Sequence, residues 1–558
     1  MVQLLASLAS LLLASSVNGL HAPVKYWCGK KYNSSASNFD GYNLGWSDVE
    51  RDLPRLVESQ QIRIVQETLP YLESSSNAAL VAYIPQHYFN LAGNMNITVS
   101  VPELNASTVI GPQDAGNGVS FPADISNATL GRSIISADVS YASYKLSSET
   151  QKYFDTVYFD LYKVTAPSNG SVVTLDAVTQ ALSVNGSKAF IPVGYYVDAG
   201  TVLADYESAK SNFSQYASEG YNVLMYTGPI SNQTQMEWTL DLAEEHGLYF
   251  QADVTDITNS VDDLVYFIAN YSSHPAFLSY YIGNEPDGDE GIGSFEPVQS
   301  LRAYKLIKLQ DPYHPVTLVT NCQHSAPDYV DHIDFYMVDV YAVGIPTEYN
   351  GFVCNTTQGC CGCDNCDAQN PVKSIADRYE AVRSDLGIQY PPTMLVAQTF
   401  YDNTSYWSRN PTYEEEFTMA WTSIISGGSG VLGYTWPVSN SPNASLPLSQ
   451  AISDFANEYL GDKGLSARTT LSGPRTTYGS FNGIYYAIWN TGTIVAVNTN
   501  YSNSSLSIDV SPFIKPNVKS LSVKSLGATA KQNMTSVPIS GGVLTDQFGY
   551  LEVKAYTT

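Results

Sequence analysis

A central (β/α)8 TIM barrel flanked by β-sandwich domains is the fold this sequence predicts, and three observations carry the prediction. Eight short apolar runs alternate with helical stretches between residues 190 and 435. The flanking stretches instead show strand-like runs separated by Gly, Pro, Asn and Ser clusters. The chain has 558 residues, 44% hydrophobic and 12% aromatic, which is enough for several cores at about 150 residues per domain.

The elements follow in order. Leu4 to Ala14 is a short apolar run followed by Ser15-Ser16-Val17-Asn18-Gly19, so residues 1–19 read as a signal peptide. The run is shorter than the roughly 20 residues a membrane span needs. Residues 20–188 form the first β domain, with strands at Asn96 to Val101, Arg132 to Tyr144 and Val157 to Val164. A last hairpin, Val172 to Ala189, turns at Asn185-Gly186.

The barrel occupies 189–462. Its strands are Phe190 to Tyr195, Asn222 to Tyr226, Tyr249 to Asp253, Phe277 to Gly283, Val316 to Thr320, Phe335 to Tyr341, Met394 to Thr399 and Gly430 to Thr435. The helices are Asp205 to Glu219, Gln233 to Glu245, Val261 to Asn270, Val298 to Gln310, Val372 to Asp385 and Tyr413 to Ser426. A doubly wound sheet is the alternative, but no glycine-rich phosphate turn follows the first strand. Residues 463–558 return to short strands, including Tyr485 to Trp489 and Thr493 to Asn498. The final residues, Leu551 to Thr558, lack the apolar tail of a lipid anchor.

Charge narrows the partners. With 27 basic and 53 acidic residues the net charge is −26, and no Lys/Arg cluster offers a footprint for nucleic acid or an anionic membrane. Only 14% of residues are charged, so other polarity must keep the surface wet. Asn-X-Ser/Thr sequons at Asn33, Asn96, Asn105, Asn127, Asn169, Asn185, Asn212, Asn232, Asn270, Asn355, Asn403, Asn443, Asn500, Asn503 and Asn533 supply it as N-linked glycans. A secreted, extracellular glycoprotein is expected.

Of seven Cys, five crowd together as Cys354, Cys360, Cys361, Cys363 and Cys366. An oxidising compartment and the lack of a nearby His pair favour disulfides over zinc. Cys322 is expected to reach the cluster, leaving Cys28 as the odd thiol. The seven His show no metal-ligand spacing, and no metal or cofactor is expected.

Chemistry in such a barrel collects at the C-terminal ends of the strands. The fourth strand ends Tyr280-Tyr281-Ile282-Gly283-Asn284-Glu285-Pro286. An Asn-Glu-Pro triplet at this place resembles the acid/base motif of the clan-A-like TIM-barrel glycosidases, within the glycoside hydrolase superfamily. The resemblance covers the barrel only. It implies Glu285 as general acid, Asn284 as a substrate-orienting amide, and hydrolysis of a β-linked polysaccharide or oligosaccharide.

The chain departs from that pattern on the seventh strand, where Gln398 stands in place of the usual nucleophilic Glu. An amide cannot attack as a carboxylate does. Asp339, inside the apolar sixth strand and on one face with Tyr341, is the second catalytic candidate, acting as base in an inverting reaction with Gln398 positioning water. Asp253 and Asp256 are weaker rivals. A substrate group oriented by Gln398 is the alternative nucleophile. The acidic run Glu414-Glu415-Glu416 after Thr412 reads as a helix N-terminus. Tyr341, Tyr401, Tyr434 and Trp436 supply aromatic faces for sugar binding, with Trp436 as the main platform. A non-catalytic carbohydrate-binding protein on a degenerate barrel, and a cell-wall transglycosylase, are the competing readings.

Overall fold

The computed structural model describes residues 62–558 except 76–77, 93–94, 144–150, 169, 288–296, 346–347, 350–351, 354–362, 365, 368, 388–390, 403–406, 439–445, 462–463, 474 and 529–534, together with the short pair Tyr26–Trp27 and Lys30–Lys31. The predicted signal peptide, Cys28, Cys354, Cys360 and Cys361 lie outside the described residues.

Eight parallel strands close a barrel in chain order. They are β1 (Val193–Val197), β2 (Val223–Tyr226), β3 (Tyr249–Asp253), β4 (Phe277–Asn284), β5 (Val316–Thr320), β6 (Tyr336–Val340), β7 (Thr393–Gln398) and β8 (Gly428–Trp436). Around them run α1 (Tyr206–Ser218), α2 (Gln233–Glu245), α3 (Val261–Tyr271), α4 (Pro297–Gln310), α5 (Lys373–Leu386), α6 (Tyr413–Ile425) and α7 (Ser449–Leu460). The strands are buried on both faces, which is why they read as continuous apolar runs. The helices begin where side chains can take up their free N–H groups. Asp205, Asn232 and Ser260 cap α1, α2 and α3, and Thr412 with Glu415 forms a reciprocal capping box on α6. The acidic run thus has the helix-initiating role its sequence implies.

Period-two alternation separates two cores. Tyr195, Leu224, Phe250 and Tyr280 face the helices, while Tyr196, Met225, Tyr281, Met337 and Leu432 fill the interior. Gln251 bridges that interior: its Nε2 lies 3.1 Å from the Met225 sulfur, and its Oε1 accepts from Ser279 Oγ at 3.1 Å. The N-terminal end is closed by a hairpin of Val173–Asp176 and Leu182–Val184, whose Val173, Leu175, Leu182 and Val184 pack into the interior core. Beside it a buried chain of hydrogen bonds runs from Ser171 Oγ to His314 Nε2 (2.9 Å), from His314 Nδ1 to Asp311 (2.8 Å), and from the Tyr280 hydroxyl to Asp311 (2.6 Å).

The flanking regions are β structures. The N-terminal one contains a five-stranded and a three-stranded sheet around a core of its own. Its Tyr162 ring lies 5.9 Å from Lys308 of α4, whose ammonium is paired with buried Asp334 at 3.2 Å. The C-terminal region is an eight-stranded antiparallel array. Its Ala487, Trp489, Val497 and Val553 join the same apolar cluster as Phe417, Trp421 and Phe455 of α6 and α7.

Candidate active site

Only two acidic residues lie within the eight strands, Asp253 on β3 and Asp339 on β6, and both occupy inward positions near the C-terminal mouth. Glu285 follows directly after β4, with a left-handed backbone (φ 44°) and its N–H bonded to Val319 O at 3.1 Å. A left-handed backbone is uncommon for a residue with a side chain and is a feature of functional turns. Here it accompanies the turn of the chain out of the strand.

Glu285, following β4, lies within electrostatic reach of Asp339 on β6. Asp339 is 2% exposed, and Asn321 Nδ2 donates to its Oδ1 at 3.3 Å. Burial first, then the adjacent Glu285, then Asp287, hold its carboxyl well above the usual carboxylate range, with Arg378 offsetting part of this. A neighbouring acidic group disfavours a second charge, so the Asp339 proton is held more tightly than that of a free carboxyl. Asn284 stands at the rim, where its Oδ1 accepts from the Tyr281 hydroxyl at 2.7 Å.

Support comes from behind. Arg378 of α5, itself buried, donates to the backbone carbonyls of Asp339 (3.3 Å) and Asp364 (2.9 Å). Asp364 Oδ2 in turn accepts from Gln323 N at 2.8 Å. Cys363 and Cys366, either side of this turn, are joined as a disulfide, and Cys322 is also disulfide-bonded. Asp287 accepts from the N–H groups of Asn321 (3.2 Å) and Cys322 (2.8 Å) and from Ser325 Oγ (2.6 Å). It therefore organises the loop after β5. Burial lifts its carboxyl to about 6 against these bonds.

Two residues proposed for substrate contact are placed elsewhere. Gln398 is fully buried, its Oε1 accepting from Val343 N (2.8 Å) and its Nε2 donating to Val343 O (2.9 Å) and Phe400 O (3.3 Å). The amide clamps the chain after β6 to β7 and has no face left for water or a sugar. Trp436 is 3% exposed and points into the helix layer, edge-on to Tyr216 at 5.4 Å with its Nε1 donating to Glu219 at 3.1 Å. The β alternation explains the correction: Tyr434 and Trp436 flank an irregular pairing of β8 with β1, and only Tyr434 keeps the inward face.

The aromatic wall of the mouth is Tyr196, Tyr341, Phe400, Trp407 and Tyr434, with Tyr341–Phe400 at 5.0 Å and Phe400–Trp407 at 4.9 Å. Trp407 was missed in the sequence because it lies beyond the end of β7, where no periodicity marks it. Its Nε1 donates to Tyr341 O at 2.9 Å. Tyr401, 48% exposed, lies just after this wall.

A closed β/α barrel with carboxyls and aromatic rings at its mouth belongs, by architecture, with the TIM-barrel proteins. Among solved structures the chain resembles a protein described as a glycoside hydrolase, with a TM-score of 0.52 and 14% identity over 70% of this chain and 97% of that one. It also resembles a glycoside hydrolase family 5 protein from Bacteroides vulgatus, with a TM-score of 0.50 and 14% identity over 68% and 91% of the two chains. The fold is shared with these proteins. No family model matches the sequence. No curated protein matches it either.

Proposed function

We propose that this protein is a secreted glycoside hydrolase that cleaves β-linked glycans, with Glu285 as the general acid. The observation that carries the reading is the placement of Glu285 directly after β4, near buried Asp339 of β6 and beside an aromatic-walled mouth, where burial and the neighbouring Glu285 favour the protonated form of Asp339. Glycosidic cleavage needs such a proton at the leaving oxygen, and aromatic rings take the apolar faces of sugars. Asn284 and the Tyr341, Phe400, Trp407 and Tyr434 rings are assigned to substrate binding. The glycoside hydrolases that share the fold support the same class of chemistry. The flanking β regions are read as sandwiches. Glycosylation is consistent with Asn96, Asn105, Asn127, Asn185, Asn232, Asn270 and Asn503, all exposed.

The test is a panel of polysaccharides and 2,4-dinitrophenyl β-glycosides given to the wild-type protein and to Glu285→Gln. Loss of the acid should abolish turnover of polysaccharides and spare hydrolysis of the dinitrophenyl glycosides, whose leaving group needs no proton. Binding by both proteins with turnover by neither would leave the carbohydrate-binding reading, which the engaged Gln398 amide favours. Oligosaccharide products longer than the substrate would point to the transglycosylase.

A further inference from the structure

We infer that Tyr501 of the C-terminal β region is a positioning residue for substrate binding, holding the Trp407 ring at the barrel mouth through Glu415 and Arg409. The inference rests on the reading of Trp407 as a sugar-binding ring and extends it to a residue outside the barrel.

The segment that carries Trp407 is fastened first to the chain after β6. Trp407 Nε1 donates to Tyr341 O at 2.9 Å, and Ser408 donates to Gly344 O through its N–H (3.0 Å) and its Oγ (2.7 Å). Gly344 has φ 76°, and a side-chain carbon added there would stand 3.0 Å from both the N and the O of Arg409. The two backbones pass this closely because the residue is a glycine. Arg409, two residues beyond the ring, then closes a two-pronged bond on Glu415 of α6, Nη1 to Oε2 and Nη2 to Oε1, each at 2.7 Å.

Glu415 is fully buried, and donors from three parts of the chain meet on it. Besides Arg409, Thr412 N donates to Oε2 at 2.8 Å and the Tyr501 hydroxyl donates to Oε1 at 2.6 Å. Burial alone would raise its carboxyl, but Arg409, Tyr501 and Thr412 hold it below its ordinary value, so it stands as a carboxylate and the fork is charge-assisted. With one flanking donor on each oxygen the carboxylate plane is fixed, and a planar fork then leaves one place for the guanidinium. Without the Tyr501 hydroxyl, Oε1 is free to swing, and the Arg409 side chain, 46% exposed, follows it.

Tyr501 is itself firmly set. It lies between the strands Ile494–Asn498 and Ser504–Asp509, in a turn that buried Asn498 ties together through Ser502 O (2.9 Å), Gly549 O (2.6 Å) and Asn500 N (3.1 Å). Its ring stands edge-on to Tyr550 at 5.5 Å. A line of bonds thus runs from the C-terminal region through Glu415 and Arg409 to the segment bearing Trp407, whose ring meets Phe400 at 4.9 Å. A second link between α6 and the same region, Thr418 Oγ1 to Leu551 O at 2.9 Å, bypasses Glu415.

The experiment offers laminarin, xylan and carboxymethyl cellulose to the wild-type protein and takes the one bound most tightly as probe. Tyr501→Phe removes the hydroxyl alone. It should raise Kd, and KM where the polymer is cleaved, by about 3–10-fold with kcat little changed. In a Trp407→Ala background the same substitution should add nothing, because the ring it positions is gone. Thr418→Val should lower Tm without moving Kd, which separates a loosened domain contact from a displaced ring. An unchanged Kd in Tyr501→Phe, an equal rise in the Trp407→Ala background, or an equal rise in Thr418→Val would overturn the inference and leave Glu285 as acid intact. Binding without turnover by the wild-type protein would overturn the glycosidase reading, while the Kd comparison still decides the role of Tyr501. Binding of none of the three polymers would overturn both.

Discussion

Restoring the carboxylate that the resemblance leads one to expect on β7 should damage this protein rather than convert its mechanism. In Gln398→Glu the new oxygen replaces Nε2, facing Val343 O at 2.9 Å and Phe400 O at 3.3 Å. When ionised, it loses both donated hydrogen bonds and sets negative charge against two carbonyl oxygens in a fully buried place. Each buried group left unpaired costs about 1–3 kcal/mol, so the two together give roughly 3–5 kcal/mol. When protonated, the carboxyl can still donate to Val343 O, and the loss shrinks to about 1–2 kcal/mol.

The sign with pH follows. Burial raises the folded-state pKa of the new group above its unfolded value of about 4.3, so the penalty grows as pH rises from there until the folded group ionises. For a cooperative unit of several hundred residues, unfolding entropy converts each kcal/mol into about 1–2 °C of Tm. Calorimetry should therefore show a fall of about 4–7 °C at pH 7.5 and about 1–3 °C at pH 5. Incubation with a 2-deoxy-2-fluoroglycosyl substrate should leave the intact mass unchanged. A fluoroglycosyl adduct on residue 398, or an unaltered Tm at pH 7.5, would refute the clamp.

Other expectations are similarly concrete. Arg409 grips fully buried Glu415 with two hydrogen bonds of 2.7 Å, so Arg409→Ala should cost about 2–4 kcal/mol, and adding Glu415→Gln should recover part of it in a double-mutant cycle of chemical denaturation. Burial alone would raise the Asp311 carboxyl, but His314, Tyr280 and Tyr313 N hold it below its ordinary 3.8; its stability is present above that pH and lost as pH falls through the depressed value. Asp311→Asn should accordingly flatten the acid limb of a Tm–pH curve while lowering Tm at neutral pH. Trp407→Ala should raise KM for a polymeric substrate with little change in Tm. Trp436→Ala should instead cost about 3–5 kcal/mol of stability and leave KM unmoved, measured by initial rates and calorimetry.

The barrel was legible because its strands are short, apolar and buried on both faces, so their runs stand out against amphipathic helices. The readings of Tyr249 to Asp253 and Val316 to Thr320 coincide with β3 and β5. Helix α7 went unread, although its apolar residues, including Ile452, Phe455 and Tyr459, lie on one side. The mouth was harder to read. Inward and outward positions follow from alternation as long as a strand is regular, which placed Asp339 and Tyr341 correctly on one face. The irregularity at the end of β8 broke that rule and misdirected Trp436. Residue type also hid the role of Gln398, since an amide that binds sugar and one that binds backbone are the same in sequence. The approach of Glu285 to Asp339 brings together the ends of β4 and β6, which lie more than fifty residues apart in sequence, and no local pattern encodes such a meeting.

The hairpin that closes the N-terminal end of the barrel has a practical bearing on any attempt to obtain a minimal catalytic fragment. Cutting the gene just ahead of β1 would remove Val173, Leu175, Leu182 and Val184, opening the floor of the interior core to solvent. It would also take away Ser171, which caps the His314–Asp311 chain. The segment behaves as the foundation of the barrel although it precedes it in the chain, so a soluble fragment should start upstream of Ser171.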